Sequence, residues 1–272
     1  MTTHAAQRAL FVKVFGIPKP VIGMVHLAAL PGNPGYRSRM VVYDHALRDA
    51  RALREGGVDA LLIENFGDTP YFPGRVPPHI VAEMTLIVQA IRREVELPVG
   101  VNVLRNDGLS ALAVAGAAGG GFVRVNVLSG TYATDQGLIS GEAHLLMRSR
   151  HELASPALIF ADMLVKHARP LGELDPGAIA RDTAHRARAD ALIVTGSSTG
   201  VAPSLDEVRT VRQAVPEKMI LVGSGVTERN APDFLRLSDG LIVGTDLKEE
   251  GKIENAVDAA RVQRLVEGAR SP

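Results

Sequence analysis

The chain contains no cysteine. Disulfides, thiolate metal sites and a cysteine nucleophile are therefore excluded. Tryptophan is absent and aromatic residues make up only 4% of the 272 positions, so a large core has to be aliphatic. There is no excess of either charge, because 30 Lys and Arg balance 30 Asp and Glu. General nucleic-acid binding needs a basic excess or stripe, so no nucleic-acid partner is expected, although a local basic pocket remains open. No apolar run approaches the ~20 residues of a membrane-spanning helix. The first residues lack the basic start, apolar stretch and small-residue cleavage site of a secretory signal. The expectation is a soluble cytoplasmic protein, with peripheral membrane contact left open. No G-x-G-x-x-G follows the first apolar run, no G-x-S-x-G elbow occurs, and no H-E-x-x-H is present. These absences count against a dinucleotide-binding domain, a serine triad and a dedicated metal centre.

What the chain does have is alternation. With 46% hydrophobic residues it can bury a large core. Short continuous apolar runs at 20–26, 58–63, 98–104, 122–127, 157–164, 191–194, 219–222 and 241–243 read as buried parallel strands. Helical spacing follows each. Tyr43, Ala46, Leu47, Ala50 and Leu53 share one face, as do Ile80, Met84, Ile87 and Ile91. Asp107 can cap an alanine-rich helix that stops at 119–121, and Asp175-Pro176 starts another. Ser204 and Glu207 form a capping box, and a final helix is expected to carry Ile253, Val257, Ala260 and Leu265. Segments 66–78 and 128–141 read as long loops, the first proline-rich like an active-site cover. Eight strand–helix repeats predict an α/β fold, a closed (β/α)8 TIM barrel over 1–272 as one domain. Residues 1–19 would be a lead-in, with a helix near 6–15 plugging the barrel floor.

Two of the last strands end in glycine turns, Gly223-Ser224-Gly225-Val226 and Gly244-Thr245-Asp246. The loops after strands 7 and 8 of such barrels frequently hold phosphate. Glycine lets main-chain N–H groups come close to an oxyanion. Gly196, Thr199 and Gly200, after strand 6, would join Gly223, Ser224, Gly225, Gly244 and Thr245 in binding it. The alternative is that the glycines only make tight turns.

Polar residues sit at nearly every strand end, where barrel enzymes place their chemistry. Glu64 reads as a general base or as a salt-bridge partner of Arg124 or Arg105. Asp162 ends an apolar run and needs a partner, with Lys166, His167 or a substrate hydroxyl available. Lys166 could hold phosphate as a point charge, transfer protons or form an imine; the phosphate role is preferred. Asp68 and His167 complete the candidate catalytic set. His26, Asn102, Arg105, Arg124 and Asn126 are candidate substrate contacts, though the asparagines could equally tie neighbouring strand ends together. A metal site could be drawn from His26, Glu64, Asp68 and Asp162 but has no motif behind it. Mg²⁺ arriving with a phosphate is the only cofactor admitted.

Several stretches together resemble the BtpA/SgcQ family, named after a photosystem I biogenesis factor. They are Gly23-Met24-Val25-His26-Leu27, Glu64-Asn65 with Asp68, Gly100-Val101-Asn102-Val103-Leu104-Arg105-Asn106-Asp107, Arg124-Val125-Asn126-Val127 and Thr134-Asp135-Gln136-Gly137. Ala161-Asp162, Val165-Lys166-His167-Ala168, Ile193-Val194-Thr195-Gly196, Gly223-Ser224-Gly225-Val226-Thr227 and Ile242-Val243-Gly244-Thr245 continue the match. The resemblance implies a ribulose-phosphate-binding type of barrel. It says less about the reaction, and with the rim residues two readings stand. One is an isomerase or glycosidic-bond-cleaving enzyme acting on a small phosphorylated sugar or nucleoside-like metabolite. The other is a non-catalytic assembly factor for photosystem I or another complex. A homo-oligomer is expected on either.

Overall fold

The computed structural model describes residues 4–172, 175–196, 198 and 200–270. In chain order the elements are α1 (His4–Phe15), β1 (Val21–His26), α2 (Arg39–Glu55), β2 (Ala60–Glu64), α3 (Pro78–Val95), β3 (Val99–Asn102), α4 (Gly108–Ala118) and β4 (Phe122–Val125). There follow β5 (Thr131–Thr134), β6 (Gly137–Ser140), α5 (Ala143–Glu152), β7 (Leu158–Asp162), β8 (Ala168–Pro170), α6 (Pro176–Arg181) and β9 (Ala191–Thr195). The chain closes with α7 (Leu205–Ala214), β10 (Met219–Gly223), α8 (Ala231–Leu237), β11 (Leu241–Val243) and α9 (Ala259–Arg270).

The parallel strands close into a barrel in the order β1-β11-β10-β9-β7-β4-β3-β2. The expected (β/α)8 architecture is therefore correct. Alternation along each strand builds two cores. Val21 and Val25 face outward to the helices, whereas Ile22 and Met24 face the barrel interior. The interior layer also holds Leu62, Phe122, Phe160, Ile193, Leu221 and Ile242. α1 seals the floor, with Phe11 1% exposed and Phe15 5% exposed. Phe11 stacks on Phe160 at 5.3 Å between centroids, and Phe15 tilts against Phe122 at 5.3 Å. Burying each ring stabilises the fold by roughly 2–3 kcal/mol, so the plug is part of the core.

Caps fix the helix starts where the sequence predicts them. The Asp107 carboxylate accepts from the Ser110 amide at 3.0 Å and Asp175 from Gly177 at 2.9 Å, and the Ser204/Glu207 box is closed.

Two expectations are corrected. Segment 128–141 is a hairpin: Tyr132 of β5 pairs with Ile139 of β6, and β8 joins the other edge of β5. Tyr132 and Ile139 bury themselves with Val127 and Val165, so alternate positions carry the apolar side that a polar average conceals. The last helix begins at Ala259, because the Asp258 carboxylate accepts from the Ala260 amide at 2.9 Å and caps it. Ile253 and Val257 precede it. The Val257 amide donates to Asp49 of α2 at 3.3 Å, where the Lys248 ammonium also meets Asp49 at 2.6 Å.

Candidate active site at the C-terminal mouth of the barrel

Register sets the first half of the site. His26 pairs with Glu64, Glu64 with Asn102, and Asn102 with Arg124, so four polar residues stand side by side at one level of the barrel. Above them lies a cavity of about 290 Å³. Its wall includes His26, Glu64, Arg105, Arg124, Asn126, Asp162, Lys166 and His167. Gly200, Ser224, Gly225, Gly244 and Thr245 line it as well. The volume lies at the small end of the ~300–1,000 Å³ of ligand sites, which suits one sugar-sized molecule.

The charges are held in fixed pairs. Arg124 grips Asp162 with two bonds of 2.9 Å, and Asn126 Nδ2 adds a third of 2.9 Å to the same carboxylate. The two charged side chains are 5% and 1% exposed, and this fork geometry satisfies both without water. The Glu64 carboxylate accepts from Asn102 Nδ2 at 2.6 Å. Arg105 donates to the Lys166 carbonyl, tying the β3 loop to the segment that carries the lysine. Tyr132 does the same from the hairpin, donating to the Met163 carbonyl at 3.0 Å.

Burial pushes the Lys166 ammonium down to about 8; the positive Arg124 adds to this, and Glu64 and Asp162 oppose it. Burial likewise pushes His26 down to about 3, reinforced by Lys248 and Lys166, so its imidazole is neutral at physiological pH. The His26 ring meets Phe66 edge-on at 4.9 Å. Tyr71 is pushed up by burial and by Glu64, and keeps its proton while donating to the Phe66 carbonyl at 2.8 Å.

Part of the cavity wall is main chain. Ser224 and Gly225 adopt left-handed conformations in succession, with φ of 68° and 57°. A Cβ on Gly225 would stand 2.1 Å from the Ala202 amide nitrogen, so only glycine lets the β10 turn pack on the segment after β9. A Cβ on Gly244 would stand 2.9 Å from His26 Cε1. Among the described residues, the amides of Ser224, Gly225, Val226 and Gly244 meet no protein acceptor. Successive amides in such a turn form a concavity suited to an anion.

Not every candidate lies on the wall. Asp68 is turned away: its carboxylate accepts from the Leu30 amide at 2.7 Å and from Asn65 Nδ2 at 3.1 Å, clamping the β1 and β2 loops. Burial raises its pKa, and these two bonds oppose the rise. Asn102 lies behind Glu64 and serves it. Gly196 packs on Val201, and Gly223 belongs to β10 with Ile193 beside it. Thr199 lies outside the described residues. His26, Glu64, Asp68 and Asp162 do not assemble as metal ligands; among the described residues no three such groups converge. The sequence reading missed Phe66, Tyr71, Thr227 and Asp246, which also line the cavity. It also missed the Lys248–Asp49 pair, 2% and 5% exposed, although Asp49 falls within the apolar stripe of α2.

A second hollow, about 680 Å³, lies on the outer wall beside α5 and is lined by His144, Arg148, His151, Arg186 and Arg188. Among the described residues no helix is long and apolar enough to cross a membrane.

The sequence profile of the BtpA family matches residues 17–271. The Photosystem I biogenesis protein BtpA of Synechocystis sp. is 44% identical over 94% of this chain and 89% of its own length. An uncharacterised protein of Thermococcus kodakarensis is 46% identical over 93% of this chain and 95% of its own. The putative sgc region protein SgcQ of Escherichia coli is 33% identical over 94% and 96%. Among solved structures, thiamine phosphate pyrophosphorylase of Pyrococcus furiosus superposes with a TM-score of 0.58 at 15% identity, covering 93% of this chain and 96% of that one. At that identity the likeness concerns the fold alone.

Proposed function

The chain belongs to the BtpA family, and we propose that it is an enzyme acting on a small phosphorylated sugar or nucleoside-like metabolite. One observation carries this reading. Acceptor-free amides of Ser224–Val226 and Gly244 belong to residues that line one cavity together with a carboxylate, a desolvated lysine and a buried ion pair. The phosphate would rest on those amides and on the Lys166 ammonium. Anchored there, the substrate presents its reacting carbon to Glu64, and binding energy from the phosphate positions it.

For an isomerisation, the Glu64 carboxylate takes a proton from the carbon beside a carbonyl. The Arg105 guanidinium, which lines the same cavity, supplies a hydrogen bond to the resulting enolate oxygen. Passage of the adjacent hydroxyl's proton to that oxygen, and return of the first proton to the former carbonyl carbon, moves the carbonyl along the chain. Arg124 and Asp162 hold Asn126 and the strand ends rigid throughout. Glycosidic-bond cleavage would have Glu64 take a proton from the water that adds to the anomeric carbon and pass it to the departing atom.

Thermal unfolding against ribose phosphates, nucleotides and inorganic phosphate tests the anion site. Saturable stabilisation is expected, and none with any phosphate compound overturns the reading. Given a turnover assay, Glu64→Gln should reduce kcat by about 10²–10⁴-fold with unfolding unchanged.

A second reading, an assembly role in a larger complex, has one structural feature in its favour: the basic hollow at α5. On that reading Arg148→Glu with Arg188→Glu would abolish partner recruitment and leave phosphate stabilisation intact.

A further inference from the structure

Three buried polar atoms, each on a residue that lines the cavity, lack a hydrogen-bond partner among the described residues: His26 Nδ1, Asn126 Oδ1 and Ser224 Oγ. The orientation of Asn126 is forced. Asp162, gripped by both Arg124 N–H groups, can only accept, so Asn126 must turn its Nδ2 toward it. Flipping the amide would set two acceptors against each other. The Asn126 carbonyl oxygen is thereby fixed as an acceptor at a residue only 4% exposed. Glu64, two strands away on the same wall, is also an acceptor, one of its oxygens already taken by Asn102.

The topology shows which end of a ligand meets these acceptors. In the ring of eight strands, β4 lies four places from β11 in either direction, directly across the barrel. A phosphate on the Gly244 amide therefore points the rest of the ligand at Asn126. A buried acceptor with no donor loses its hydrogen bond to water and gains nothing in return, so it selects a ligand that supplies one.

We propose that Asn126 is a specificity-determining residue whose side-chain carbonyl accepts a hydrogen bond from a hydroxyl at the non-phosphorylated end of a sugar phosphate. This rests on the phosphate reading above and adds the chemical class of the far end. The neutral amide does no chemistry; it discriminates.

Calorimetric titration tests it, with pentose and hexose monophosphates compared against ethyl phosphate and inorganic phosphate, which offer no such hydroxyl. At least one sugar phosphate should bind tenfold or more tightly than ethyl phosphate. Removing one particular hydroxyl, by the monodeoxy series of that sugar, should cost tenfold or more. Asn126→Leu should erase the advantage while changing the ethyl phosphate Kd less than twofold. Should Asn126→Leu not fold, Asn126→Ser, with its shorter reach, serves the same comparison. Equal binding of all phosphates, or a sugar advantage that survives in the Asn126 variant, overturns the hydroxyl contact and leaves the anion site standing. No binding by any phosphate, inorganic phosphate included, overturns the anion site and this inference with it.

Discussion

Titrating ethyl phosphate into the protein between pH 7 and pH 10 isolates the contribution of Lys166. The ammonium, pushed down to about 8, is charged at pH 7 and about 1% charged at pH 10. A charge-assisted hydrogen bond contributes roughly 1.5–3 kcal/mol, so its loss weakens binding about ten- to hundredfold. A phosphate monoester is already mostly doubly charged above its second pKa of ~6, so this ligand barely titrates in the window. Tyr71 is pushed upward and does not titrate there either. Lys166→Met should therefore bind weakly and with no pH dependence over the same range. Stability moves in the opposite sense. A lysine whose folded pKa lies below its unfolded 10.5 destabilises the fold wherever it must be charged. That burden is full below about pH 8 and is gone above about pH 10.5. Urea unfolding should find Lys166→Met the more stable protein at pH 7, by at most ~3 kcal/mol, with the gap closing as pH rises. Parallel affinity profiles for the two proteins would refute the assignment of the lysine to the anion.

Arg124→Met strands the Asp162 carboxylate in a buried site and should cost roughly 3–5 kcal/mol by urea unfolding, most of it recovered when Asp162→Leu is added. Gly225→Ala puts a Cβ in a left-handed turn and 2.1 Å from a backbone nitrogen. It should cost more than ~2 kcal/mol and remove phosphate stabilisation in a thermal scan. Phe11→Ala empties the barrel floor and should cost roughly 3–5 kcal/mol, read by the same unfolding assay.

The barrel was legible because each strand is an uninterrupted apolar run and each helix carries its own stop, such as Gly119 or the Ser204/Glu207 box. The ring of rim residues was legible too, since a polar side chain closing an apolar run has few structural uses. Which of them face the cavity was not legible. Asp68 and Asn102 have the same composition signal as Glu64, but their partners, the Leu30 amide and the Glu64 carboxylate, come from other loops and strands. Pairing across 38 residues leaves no local mark on the sequence. The hairpin of β5 and β6 was hidden for a different reason: strands of 4 residues with one apolar face each look polar on average. Lys248 gave no sign of burial because its partner, Asp49, lies far along the chain, although an aspartate on the inward face of α2 is a visible anomaly.

The aromatic plug contributed by α1 makes the vessel a cul-de-sac. On the enzymatic reading, substrate, product and solvent would share the doorway framed by the loops after the strands. Exchange of reactant for product would then be sequential, and anything seated over that doorway, a partner protein included, would regulate turnover without touching a reacting atom.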